Sequence, residues 1–245
     1  MKMLKFIPVA VLVFLSNSLA ANAQVNVGNV LKQAVSGNPS AAEIGSGLKE
    51  ALEAGVSKGS DRLSITDGFM KNMAVKILFP PEAQKAEKTL RGLGLNKLCD
   101  DMILSLNRAA EDAAKEAKPI FVSAIKQMSV KDASNILLSS QQDAATQYFK
   151  TTTNEQLRAA FMPVIKASLD KAGATKYWGD VATTYNKVPL VKKLNTDLND
   201  YATEKSISGL FYEIAQEELK IRSNTSARNS PLLQKVFGYA DKSKK

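Results

Sequence analysis

Three serines are followed three residues later by a lysine: Ser46 and Lys49, Ser123 and Lys126, Ser168 and Lys171. On a helix each pair shares a face, where a lysine of depressed pKa serves as base to the hydroxyl. The Ser-Asp-Asn and Lys-Thr-Gly motifs that accompany such chemistry are absent, so the spacing reads as chance in a Ser- and Lys-rich chain. Acidic pairs also occur: Glu50 with Glu53, Asp100 with Asp101, and Glu213 with Glu217. Two carboxylates hydrolyse glycosides when they flank a cleft roughly 5–10 Å across beside an aromatic sugar-binding surface. Trp178 is the single tryptophan. Helical spacing makes solvated helix faces the simpler reading of all three pairs. The stretch from Asp197 to Ser208 has Tyr201, Ala202 and Ser208 where a calcium loop needs a ligand, a turn glycine and a closing Glu, so that reading is rejected.

The sequence contains no histidine and one cysteine, Cys99. Ser-His-Asp and Cys-His catalysis, His-containing zinc sites and His-ligated haem are therefore excluded, as is an all-thiolate metal site within one chain. Cys99 falls in the apolar series Leu98-Cys99-Met102 and reads as a small buried residue. No glycine-rich loop precedes a Lys-Ser or Lys-Thr pair, so a phosphate-binding loop is missing too.

What remains is a set of polar residues at the borders of apolar helix stripes. Asn107, Arg108 and Glu111 lie within one turn, beside Leu106 and Ala110. Arg158 sits between Leu157 and Phe161, Tyr185-Asn186 closes one helix, and Asp200-Tyr201 opens another. The candidate binding residues are Arg108, Glu111, Arg158, Tyr185, Asn186 and Asp200, expected to converge on one region with the two arginines as anchors for an anionic group. Structural ion pairs between helices are the plainer alternative, because charges at the edge of a bundle core are commonly paired.

The elements that must position these residues are helical. From Ser40 onward, Ile44, Leu48, Leu52 and Val56 recur at intervals of four on one face, and Ser40 with Glu43 has capping-box spacing. Gly45, Gly47, Gly55 and Gly59 each weaken this helix by about 1 kcal/mol if solvated, or else let another helix approach closely. Residues 64–80 read as an irregular connection, and Pro80-Pro81 opens a helix that Gly92 and Gly94 end. Next, Leu98, Met102, Leu106, Ala110, Ala113, Ala117 and Phe121 form one stripe, with Pro119 breaking it near Lys118. Starts are signalled by Ser129 with Asp132, Thr153 with Gln156, and Ser230 before Pro231. The helix from Thr153 carries a kink at Pro163, the last long helix runs from about Leu198 to Arg222, and a short one from Pro231 stops at Gly238.

Val25-Asn26-Val27 and Val75-Lys76-Ile77 alternate but are too short to found a sheet. The fold class is all-α, a single-domain multi-helix bundle with Pro-kinked long helices over residues 40–238. Phe121, Phe161, Leu210, Phe211 and Ile214 are expected in its core. Residues 24–39 read as a flexible segment and 239–245 as a basic disordered tail.

Lys2 and Lys5, the apolar run Phe6 to Leu15 and Ala21-Asn22-Ala23 have the pattern of a signal peptide over residues 1–23, cleaved between Ala23 and Gln24. Its apolar core is too short to span a bilayer. The chain carries a net charge of +9; the first 23 residues hold two of the 33 basic residues and no acid, leaving +7. A basic surface raises nucleic acid as a partner in the cytoplasm, but a periplasmic or secreted location argues against it. A small amphiphilic or anionic envelope ligand, or peripheral contact with an anionic membrane, fits better.

With the helices laid out, GLKEALEAG (47–55), NRAAEDAAKEAKPIFVSAIKQM (107–128), AATQYFKTTTNEQLRAAFMPVI (144–165) and DYATEKSISGLFYEIAQEELKIR (200–222) carry a resemblance. The chain resembles the bacterial domain-of-unknown-function family 4197 over nearly its whole length after residue 23. The resemblance implies a secreted, all-helical bacterial protein and names no chemistry. Ser139-Ser140 stands where the resemblance leads one to expect glycines, in the turn before Ala144. From the residues, the expected function is binding or envelope-associated scaffolding, with no cofactor. The alternative is a histidine-free hydrolase using carboxylates or a Ser-Lys pair.

Overall fold

The computed structural model describes residues 37–187, 193–195 and 197–243; the expected signal peptide and residues 24–36, Val25 to Val27 included, lie outside them. The described residues form nine α-helices and two short 3-10 turns, without a strand. The helices are α1 (Ala41–Leu63), α2 (Gln84–Gly92), α3 (Asn96–Ala114), α4 (Ala117–Gln127), α5 (Val130–Leu138), α6 (Ala144–Lys171), α7 (Ala174–Tyr185), α8 (Leu198–Ser223) and α9 (Pro231–Ser243). None is long and apolar enough to cross a membrane.

Local signals place several ends. Ser40 and Glu43 close the capping box on α1, and Ser129 with Asp132 does the same for α5. The Lys235 ammonium, with the Ser40 N–H and hydroxyl, holds the Glu43 carboxyl down to about 2, so the box is charged and also ties α9 to α1. Between α3 and α4 the break lies at Lys115 and Glu116, earlier than expected. A proline ring excludes the carbonyl four residues back, here that of Lys115, while Pro119 itself sits harmlessly in the first turn of α4.

Two expectations need correction. Thr153 does not start a helix: α6 begins nine residues earlier, and the Thr153 hydroxyl donates to the Phe149 carbonyl inside it. The helix is continuous through Pro163. Finally, α9 continues past Gly238 to Ser243, because Ala240 is buried and Asp241 accepts from Arg228, so residues 239–243 are not a disordered tail. The Ser139-Ser140 turn requires no glycine. Ser139 has φ −59° and ψ 140°, and its hydroxyl accepts from the Gln141 N–H at 3.1 Å.

The long helices α6 and α8 pack on each other, α3 packs against both, and α1 lies across α8, α5, α4 and α9. Phe121, Phe161, Leu210, Phe211 and Ile214 are all buried, as is Cys99, whose thiol is pushed up by burial. At Gly47 an added Cβ would lie 2.8 Å from Val236, which is why a small residue stands where α9 crosses α1. The connection 64–80 packs on α8 in the same way: the Phe69 ring lies 2.7 Å from where a Gly209 Cβ would be.

Candidate functional site

The polar residues singled out in the sequence fall into separate groups. Arg108 bonds Glu111 at 2.5 Å and Asp67 at 2.6 Å, and the buried Glu111 carboxylate accepts from the N–H groups of Phe69 and Met70. This cluster fastens the 64–80 connection to α3. It also explains the left-handed backbone of Asp67 (φ 70°), whose carboxyl is held below its ordinary value by Lys71 and then Arg108. Next to it the fully buried Asn107 side chain accepts from the N–H of Ile77 at 2.8 Å and donates to its carbonyl at 2.8 Å.

Arg158 bonds Asp200 at 2.6 Å and approaches Glu204 at 3.7 Å, joining α6 to α8. Asn186 brackets Leu194, accepting from its N–H and donating to its carbonyl, and Tyr185 packs half-buried against the core. Thus the structure joins Arg108 to Glu111 and Arg158 to Asp200. No hydrogen bond or ion pair among the described residues links one group to the next.

Glu213 and Glu217 are not on a solvated face. Both are buried, and Arg62 bonds both while Asn72 donates to Glu213. Nor do the Ser-Lys spacings form pairs. Ser168 donates to Asp112 at 2.9 Å, Ser123 accepts from Gln127, and Lys49 reaches the Lys126 carbonyl. Among the described residues no three His, Cys, Asp or Glu side chains are grouped to hold a metal.

Of the six residues, Arg158 alone lines a groove of about 600 Å³ that runs between α6 and α8. Its α6 wall presents Thr146, Lys150, Asn154 and Arg158, each four residues from the last; its α8 wall presents Glu204, Ser208 and Tyr212 at the same interval. Phe211 and Ile207 supply an apolar floor, and the Lys150 ammonium lies 6.0 Å from the Phe211 ring centre. Lys150 has no ion pair among the described residues, and Asn154, Ser208 and Tyr212 face solvent. These i, i+4 stripes were legible in the sequence. Placing the start of α6 at Thr153 removed the first nine residues of the helix, which carry Thr146 and Lys150.

The groove ends at a buried knot. Glu218 accepts from the N–H groups of Ala145 and Thr146 and from the Thr146 hydroxyl, each at 2.9 Å, and pairs with Arg222. Arg222 in turn donates to the carbonyls of Ile136 and Leu137 at the end of α5.

The chain matches the protein family of unknown function DUF4197 over residues 38–238. It belongs to this family. No curated protein and no solved structure matches it. The DUF4197 match covers every described helix through most of α9, so the groove and the knot are features of the family domain as it occurs in this chain.

The two arginine clusters differ in burial, which sets an expected result. In the Arg108 pair the Glu111 side chain is 4% exposed, whereas Arg158 and Asp200 are 33% and 49% exposed. Arg108→Ala leaves a buried carboxylate without its countercharge and is expected to cost about 2–3 kcal/mol. Arg158→Ala breaks a solvated pair, at about 1 kcal/mol or less. Urea denaturation of both variants checks this, and equal losses would show that Arg158 is as structural as Arg108.

Proposed function

We propose that this domain is a binding module acting outside the cytoplasm, which holds a small amphiphilic, anionic ligand in the groove between α6 and α8. The observation that carries the reading is Lys150, a cation without an ion pair among the described residues, standing over the apolar Phe211 floor of a groove large enough for such a ligand. An aromatic floor takes apolar surface, and the field of an unpaired lysine beside it favours an anionic ligand over a cationic one. Binding is supported over turnover because Arg158 is held by Asp200 and Glu204 and the Ser168 and Ser123 hydroxyls bond residues other than the lysines. Export rests on the signal-peptide pattern of residues 1–23.

Native mass spectrometry of the protein gently purified from the cell envelope tests both parts. The expected spectrum shows a chain beginning at Gln24 with a bound anionic species that Lys150→Glu fails to retain. A chain keeping Met1 through Ala23 would sink the export reading, and equal retention of ligand by Lys150→Glu would sink the groove.

A further inference from the structure

On the adjoining face of α8 lies a second cleft, of about 440 Å³, walled by the connection from Ala74 to Pro81. Ser208 and Tyr212 line both this cleft and the α6–α8 groove, so the two hollows meet across one turn of α8. The crossing is made by Ser208 and Tyr212, and it is low only at the small Ser208 side chain, since Gly209 beside it is covered by Phe69 and Val75.

Charge is distributed unequally between the two sides. The α6–α8 groove is lined by Asp143 and Glu204 as well as by Lys150 and Arg158, and so is close to neutral. The cleft is lined by Lys76 and Lys205 and by no acidic side chain. Its exposed apolar surface comes chiefly from Leu78, backed by the buried Val75, Ile77 and Phe79. The wall is rigidly held: Asn107 clamps Ile77, the Tyr201 hydroxyl donates to the Leu78 carbonyl at 3.0 Å, and Phe79 packs on Trp178 with ring centres 5.9 Å apart. A wall fixed by its own hydrogen bonds loses little freedom when a ligand binds.

We infer that groove and cleft are one bipartite site for a single-chain anionic amphiphile, whose charged head lies between Lys76 and Lys205 and whose apolar chain crosses Ser208 to rest on Phe211. An anion is drawn to the side with cations alone, and the neutral side with the aromatic floor takes the chain. This rests on the proposed reading of the α6–α8 groove and adds where the charge goes.

Isothermal titration with dodecyl phosphate below its micelle threshold tests it, with inorganic phosphate and dodecyltrimethylammonium as the head-only and reversed-charge probes. The native protein is expected to bind dodecyl phosphate at least about tenfold more tightly than either. Lys76→Glu with Lys205→Glu is expected to weaken it by about tenfold or more, as is Ser208→Trp, which blocks the crossing. Lys126→Glu with Lys131→Glu, outside both hollows, makes the same charge change and is expected to alter binding less than about twofold. Circular dichroism of each variant confirms its fold. Binding that survives the Lys76/Lys205 reversal but is lost in Lys150→Glu would overturn the bipartite site and leave the groove standing. Inorganic phosphate matching dodecyl phosphate, or equal weakening by the control pair, would also overturn it, and no binding to the native protein would remove both readings.

Discussion

Replacing Glu218 with alanine is expected to destabilise the domain by about 3–5 kcal/mol, which for a domain of this size lowers the melting temperature by roughly 10 °C. The Glu218 carboxylate is 4% exposed and meets the positive end of α6, while the Arg222 guanidinium, 5% exposed, meets the negative end of α5. Each charge therefore sits against the helix dipole of opposite sign and satisfies backbone groups that the helix itself leaves unpaired. Truncation at Glu218 strands the Arg222 charge, two N–H groups and the Thr146 hydroxyl in one step. Glu218→Gln keeps the shape but not the charge and should lose about half as much. Urea midpoints at an unchanged denaturant slope measure the loss. The double variant Glu218→Ala, Arg222→Met should fall well short of the two single losses summed, since they share one interaction. A loss below about 1 kcal/mol for Glu218→Ala, or simple additivity, would refute the role given to the knot.

Phe121→Ala is expected to cost about 4–6 kcal/mol. Its side chain is fully buried in α4 and meets Phe149 of α6 edge-on, with ring centres 5.2 Å apart, and Phe211 of α8 at 5.9 Å. Removing a buried phenyl costs about 3–5 kcal/mol through lost transfer energy and the cavity left behind, and each aromatic pair adds about 0.5–1.5. Phe121→Leu fills most of the volume and should lose only about 1–2 kcal/mol. The same substitution bears on the groove, because Phe211 is at once the neighbour of Phe121 and the groove floor. Near-wild-type denaturation of Phe121→Ala would mean that this three-ring contact is not the centre of the core.

Helix starts capped from within their own first turn were legible. Ser40 with Glu43 and Ser129 with Asp132 are three residues apart, so each cap and its target are written together. The start of α6 was not, since its cap comes from Glu218, more than 70 residues on, and Asp143 makes no cap bond of its own. Thr153 and Gln156 have a cap's spacing, but their helix had already formed, and the Thr153 hydroxyl turned back to Phe149.

The candidate site was half legible for the same reason. Arg108, Glu111, Arg158 and Asp200 were marked as charges at the border of the core, because an apolar stripe shows where hydration will be lost. Which partner each takes depends on the packing of helices remote in sequence. Arg108 pairs with Asp67 and Glu111, and Arg158 pairs with Asp200. Lys150, passed over in the sequence, is the cation that stands over the groove.

By itself the sequence determined what is set by composition and period: an all-helical chain, the residues on its buried faces, and the exclusion of histidine and thiolate-cluster chemistry. Tertiary structure alone decided what depends on distant partners. It put Glu213, Glu217 and Glu218 inside, at Arg62, Arg222 and the start of α6, rather than on a solvated face. A carboxylate at a given helical position is stable in water or against a buried countercharge, and only the packing of α8 against α1 and α6 selects between them.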